Sequence, residues 1–180
     1  MILIMLGSLA DTLSKLSQRE QKLAAGDILF RSGEQVASLF LVTAGALRLT
    51  RALPHGFQLT VQRAAPGTIL AEASLFADRY HCDATADEVS VLRVVPLRRI
   101  RAAFRHDSGL ASALAHYLAH EVHRARAHAE TLSLKTVAER VDAWTALNGG
   151  SLPAKGRWSQ VASEIGVTAE ALYRELARRR

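Results

Sequence analysis

Toward the C-terminus of this 180-residue chain, Glu170 and Arg174 stand four residues apart in a stretch of helical pattern. Residues at that spacing share one face of a helix. A guanidinium can donate twice to the acceptors of a guanine edge, and a carboxylate can accept from the amino group of cytosine. The residues around the pair supply the frame such reading requires. Gly166 closes one helix near Ile165, and Thr168 is a good N-cap for the next. Ala162 is small where the second helix must cross the first, and Gly166 offers the positive φ of a sharp turn. Val161, Ile165, Val167, Leu172 and Leu176 are apolar where two helices pack across such a turn. The pattern predicts a helix-turn-helix whose second helix, Thr168 to about Arg179, presents Thr168, Ala169, Glu170, Tyr173 and Arg174 to a major groove. Thr168 can hold a phosphate, and Arg178, Arg179 and Arg180 add phosphate attraction that ignores sequence.

The charge distribution agrees with an anionic partner. The formal net charge is +6 and the isoelectric point about 10.1. Residues 1–97 carry 9 basic and 9 acidic side chains, so the whole excess lies in the C-terminal 83 residues. A neutral module joined to a basic one points to double-stranded DNA as the partner.

Other groups capable of chemistry are sparse. His116, His120 and His123 lie at i, i+4 and i+7, a spacing that can present two imidazoles to one metal, yet no acid completes a metalloprotease pattern. They are read as surface histidines flanking a helical seam, and no metal site is expected. The one cysteine, Cys82, can form neither an internal disulfide nor a four-thiolate cluster, which fits a reducing, cytoplasmic setting. There is no nucleophile elbow, Walker loop or dinucleotide glycine motif, so the chain is not expected to be an enzyme. A cupin-like metal enzyme, the rival from another class, needs clustered histidines on neighbouring strands, and the strand-rich region offers only His55 and His81. The apolar start, Met1 to Leu6, is too short to span a bilayer and lacks the basic region of a secretory signal; it reads as part of an N-terminal helix, and no membrane association is expected.

The elements that must position these residues are legible as a succession. Between Lys22 and Leu97, β-rich runs (28–30, 39–42, 47–50, 59–61, 89–95) alternate with Gly26, Gly33, Gly45, Gly56 and Gly67, which predicts an all-β roll or barrel. Only 71–76 has helical character there. After Asp107 or Ser108, either able to cap a helix, Ala111, Leu114, Leu118, Val122, Ala125, Ala129 and Leu132 form an apolar seam of about three heptads. A strip that narrow on one long helix is best covered by the same strip of a second copy, with Tyr117 and Arg124 beside it. Residues 148–156 form a breaker-rich loop. The expected architecture is α+β: a β-roll (double-stranded, jelly-roll-like) sensor with a short N-terminal helix over 1–105, a dimerisation helix over 106–134 with a hinge near Leu134 to Val137, and a DNA-binding helix-turn-helix over 135–180.

Glycine-punctuated strands, a dimer-type helix and a terminal helix-turn-helix, in that order, resemble the CRP/FNR family of bacterial transcription regulators. The runs 23–34, 39–49 and 66–76 resemble the family's first β-roll turns, the following strand pair and the phosphate cassette. The resemblance implies a homodimer whose effector pocket lies around Glu72, Ala73, Cys82, Asp83 and Ala84, with RNA polymerase as a further partner. It also exposes departures. Glu72 matches the cassette glutamate that takes a ribose hydroxyl, but Ala71 replaces the glycine before it, and Cys82-Asp83 fills the place of the Arg-Ser pair that holds a cyclic phosphate. Without that arginine a buried phosphate has no counter-charge, so a cyclic nucleotide is not the expected effector; Arg79 is the one nearby substitute. Adjacent His81 and Cys82 resemble the haem ligands of some family sensors, which leaves haem or redox sensing as an alternative cofactor chemistry. The family's glutamate-to-arginine pattern in the recognition helix is met by Glu170 and Arg174, with Ala169 where a polar group often stands. The resemblance implies a β-hairpin wing after this helix, which is expected to be absent or truncated.

Overall fold

The computed structural model describes residues 2–52, 54 and 58–179, with side chains from Leu9 onward in the first helix. His55, Gly56 and Arg180, which the sequence singles out, lie outside the described residues. Contacts divide the chain into two compact units: 1–51 with 62–121, and 52–61 with 122–180.

The first unit is built on eight strands: β1 (Arg19–Leu23), β2 (Ile28–Phe30), β3 (Ser38–Ala44), β4 (Leu47–Ala52), β5 (Gln58–Ala64), β6 (Ile69–Leu70), β7 (Asp83–Ala86) and β8 (Ser90–Pro96), of which β4 and β5 reach beyond it. They form two four-stranded sheets, ordered β1-β8-β3-β6 and β2-β7-β4-β5, with antiparallel pairing throughout the registers described. Period-2 alternation sends Leu39, Leu41, Leu47, Leu49, Leu92 and Val94 inward, all buried. An aromatic stack of Phe40, Phe30 and Tyr80 fills one end, with centroid separations of 5.7 and 4.0 Å. The buried Tyr80 hydroxyl is satisfied by donating to the Ser38 carbonyl at 3.0 Å. Gly45, at φ +80°, turns β3 into β4 where Ser90 and the Val89 carbonyl leave no room for a Cβ.

Helix α1 (Ile2–Leu16) buries Leu9 and Leu13, and α2 (Leu97–Phe104) buries Leu97 and Ile100. The two are tied by Arg99, whose guanidinium donates to the carbonyls of Leu16 and Ser17. The long helix α3 runs over Ser108–Ser133, and Asp107 caps it by accepting the Leu110 amide at 2.9 Å. Residue Tyr117 of α3 clasps β6 with its hydroxyl, which accepts from the Ile69 amide and donates to the Ile69 carbonyl. Tyr117 is thus an interior anchor and does not flank an outer seam.

The second unit contains α4 (Val137–Leu147), α5 (Trp158–Glu164) and α6 (Ala169–Arg178). A reciprocal box opens α4: the Thr136 hydroxyl accepts from the Glu139 amide, and the Glu139 carboxylate accepts from the Thr136 amide. The core is Val141, Val161, Ala162, Ile165, Leu172 and Leu176, flanked by Trp144, Trp158 and Val167. Each fully buried leucine or isoleucine in it contributes about 1.5–3 kcal/mol relative to exposure.

Candidate nucleic-acid interface and effector pocket

The four-residue turn between α5 and α6, residues 165–168, is held from inside. Gly166 has φ +66°, and a Cβ there would come within 3.0 Å of Leu132. Ala162 is 1% exposed. Arg140 of α4 clamps the turn by donating to the carbonyls of Ile165 at 2.9 Å and Gly166 at 3.3 Å, while its Nε donates to Leu134. Trp144 donates to the Glu164 carboxylate at 2.7 Å, and His128 meets the Glu164 carbonyl at 2.6 Å. On the hairpin-tip segment of the same unit, the Thr60 hydroxyl bonds Ser163 at 2.8 Å.

This frame leaves one face of α6 outward. Thr168 caps the helix by accepting from the Ala171 amide, and Ala169 is half-buried at its first turn. Glu170 and Arg174 are exposed. Its own amide and the Thr168 hydroxyl, helped by the Arg174 charge, hold the Glu170 carboxyl below the usual carboxylate range. Tyr173 is 38% exposed and rests on Trp158 with ring centroids 5.3 Å apart, so it is braced while keeping one edge free. The Arg178 side chain is 79% exposed, 3.5 Å from Glu175.

Arg179 departs from the expectation. Its guanidinium donates to Glu175 at 2.8 Å, to Asp142 at 2.5 Å and to the Ala138 carbonyl at 2.9 Å. Each nitrogen of its fork donates back to α4 or its own helix, so it fastens α6 to α4 and is not a free phosphate contact. Sequence reasoning also missed Arg140, whose partners are backbone carbonyls 25 and 26 residues away.

On α3, Leu114 is 4% exposed and faces the interior of the first unit. That corrects its assignment to an outward seam. Leu118 and Leu132 are half-buried, Ala125 and Ala129 exposed, and Val122 is 47% exposed. The outward apolar series is therefore Ala111, Ala115, Leu118, Val122, Ala125, Ala129 and Leu132, an unbroken alternation of four- and three-residue steps in which Ala115 takes the place assigned to Leu114.

The structure brings only part of the expected effector pocket together. Glu72 is buried on the 3-10 turn Glu72–Ser74, which begins after Ala71 in the left-handed conformation, φ +65°. Cys82 is 2% exposed, and burial first, then the neighbouring Glu72 charge, pushes its thiol up to about 11. Ala84 is wholly buried on β7. Asp83 is committed elsewhere, accepting the Ser32 amide at 2.7 Å. Ala73 is exposed and drops out of the lining. Arg79, the suggested substitute for the missing arginine, donates to the Gly33 carbonyl at 2.6 Å. In their place the fold adds Ser74, 1% exposed and 3.4 Å from His81 Nδ1, and Arg51, whose charge acts on both His81 and Cys82. The β4–β7 register, which pairs Thr50 with Asp83, carries Arg51 beside Cys82; no local pattern in the sequence could have shown it. Desolvation, reinforced by Arg51, holds the His81 imidazole below its ordinary value.

At the phosphate end of the cassette, then, the Cys82 thiol, the buried Glu72 carboxylate, Asp83, Ser74 and His81 stand together, with the Arg51 charge acting on Cys82 and His81.

Residues 20–107 match the family model of the cyclic nucleotide-binding domain. No curated protein matches the chain. Among solved structures, FixK2 from Bradyrhizobium japonicum is similar at 22% identity and a TM-score of 0.76, covering 89% of this chain and 83% of that one. CLP from Xanthomonas campestris, a c-di-GMP-responsive global regulator, is similar at 15% identity and 0.76, covering 96% and 90%. A CRP-family transcriptional regulator from Thermus thermophilus is similar at 19% identity and 0.70, covering 88% and 83%. A β-roll of the cyclic nucleotide-binding type followed by a long helix and a helix-turn-helix is the class that the fold defines. The chain has the CRP/FNR fold, and the resemblance read from its residues holds.

Proposed function

We propose that the chain is a homodimeric, DNA-binding transcription regulator of the CRP/FNR type, acting in the cytoplasm. The observation that carries this reading is α6, pinned by Arg140 and Arg179 on its inner side while Glu170 and Arg174 stand exposed at its N-terminal end. In this reading α6 enters the major groove, Glu170 and Arg174 read base edges, and Thr168 and Arg178 grip phosphates. Two copies joined along the outward series of α3 place two such helices on half-sites about one DNA turn, ~34 Å, apart. A signal at the sensor pocket shifts the equilibrium between two settings of the helices around 134–136, the link between α3 and α4. The pocket chemistry favours an effector other than a cyclic nucleotide. RNA polymerase is the further partner this function implies.

Selection of bound duplexes from a random pool at low ionic strength tests it: a two-fold symmetric site should be enriched. Against that site Arg174→Ala should cost about 1–3 kcal/mol at one base pair and relax the preference there. A uniform loss across all sequences would overturn the base-reading role, and no enrichment would overturn the function.

A further inference from the structure

The face of α3 turned away from the outward apolar series carries His116 and His120, four residues apart and both exposed. In the heptad set by Ala115, Leu118 and Val122 they occupy outer positions, so neither side chain belongs to the apolar series nor to the interior packing of Leu114 and Tyr117. One turn of helix brings their Cβ atoms to about 6 Å, the separation that lets two imidazoles share one ion.

The rings are also oriented. His116 Nδ1 lies 2.8 Å from the Ser112 carbonyl. A carbonyl only accepts, so Nδ1 carries the proton, and the neutral ring keeps its lone pair on Nε2. His120 Nδ1 faces Oε1 of Glu121 at 3.6 Å, and the other oxygen of that carboxylate is anchored by Gln62 at 3.1 Å. His116 thus has the backbone hydrogen bond at Nδ1 that fixes the tautomer of metal-ligating histidines, and His120 has a carboxylate at ion-pair distance from the same atom.

We infer that His116 and His120 form a two-point chelate for one divalent ion of the nickel, copper and zinc group, the metals imidazole nitrogen prefers, with water completing the coordination. Among the described residues no three ligand groups converge. The site is therefore open, and occupancy staples one turn of α3.

The test is calorimetric titration of the full chain, free of any affinity tag, with Ni²⁺ and with Zn²⁺. One ion per chain is expected. His116→Ala or His120→Ala should abolish the heat, Glu121→Gln should weaken binding about 10-fold, and His123→Ala should leave it unchanged. The electron paramagnetic resonance spectrum of the Cu²⁺ form should show two imidazole nitrogens. Undiminished binding in either single variant, equal loss in His123→Ala, or any other nitrogen count overturns the site. All three alanine variants change exposed side chains, so far-ultraviolet circular dichroism should remain that of the parent. Duplex binding in chelator-treated buffer should be equal for parent and variants, which separates failure of this site from failure of the DNA-binding reading.

Discussion

At Ala71 the backbone adopts φ +65° and ψ +19°, the left-handed well, and among the described residues it is the one non-glycine with positive φ. A Cβ crowds the following carbonyl there at a cost of about 1–2 kcal/mol, part of which a glycine returns through its larger unfolded-state entropy. Ala71→Gly should therefore stabilise the first unit by about 0.5–1 kcal/mol in denaturant unfolding; a loss of stability would show that the buried methyl outweighs the strain. The same observation explains why the related cassette pattern carries glycine at this point: the turn that aims Glu72 inward demands it. Cys82 makes the second residue-scale argument. With its thiol pushed up to about 11, the thiolate fraction at pH 8 falls about 100-fold below that of a free cysteine. Native protein should react with Ellman's reagent about 100-fold more slowly than the denatured chain at that pH. Rapid reaction of the native thiol would restore redox sensing as a live mechanism.

For α6, attachment and the proposed recognition fall to different arginines. Arg179 joins Glu175 and Asp142 in a network that reaches the Ala138 carbonyl, and these partners hold its guanidinium above its ordinary value. Its side chain is 34% exposed and water screens the pairs, so Arg179→Ala should lower the stability of the three-helix unit by only about 1 kcal/mol. The measurement is thermal unfolding, with duplex affinity unchanged in its salt slope. Arg178→Ala should do the reverse, leaving stability alone and reducing the salt slope by about one ion. Helix α6 was legible because its signals are local: Ala162, Gly166 and Thr168 lie within seven residues and each answers a backbone requirement of one turn. The runs at 28–30 and 47–50 were legible from β-branched and leucine content between glycines. Strand β7 was not, because Asp83–Ala86 has no strand signature of its own and exists through pairing with β2 and β4. Helix α2 escaped notice because the break at 105–107 contains neither glycine nor proline. The pocket was half legible for the same reason: Glu72 and Cys82 lie on the cassette, whereas Arg51 arrives from another strand.

The largest-scale prediction concerns two copies of the molecule. Helix α3 runs through both units and each buries only part of it: Leu110, Leu114 and Tyr117 turn inward in the first and Thr131 in the second, while Val122, Ala125 and Ala129 are exposed. A period-3.5 apolar series on a 26-residue helix drives left-handed pairing, and its alanines allow the backbones to approach closely. Glutamate at Val122 or Ala125 would set two carboxylates against each other across a two-fold seam, at a cost that neither copy can relieve by turning away. Val122→Glu and Ala125→Glu should therefore be monomers by light scattering. Both positions are exposed in the single chain, so the unfolding temperature extrapolated to the monomer should stay the same. Losing the second half-site removes the gain from linked binding, and affinity for a symmetric duplex should fall about 10²- to 10⁴-fold while half-site affinity stays constant. If instead the variants remained dimeric with full affinity, the outward face of α3 would not be the surface that joins the copies, and the two recognition helices would have to be held apart by some other part of the fold.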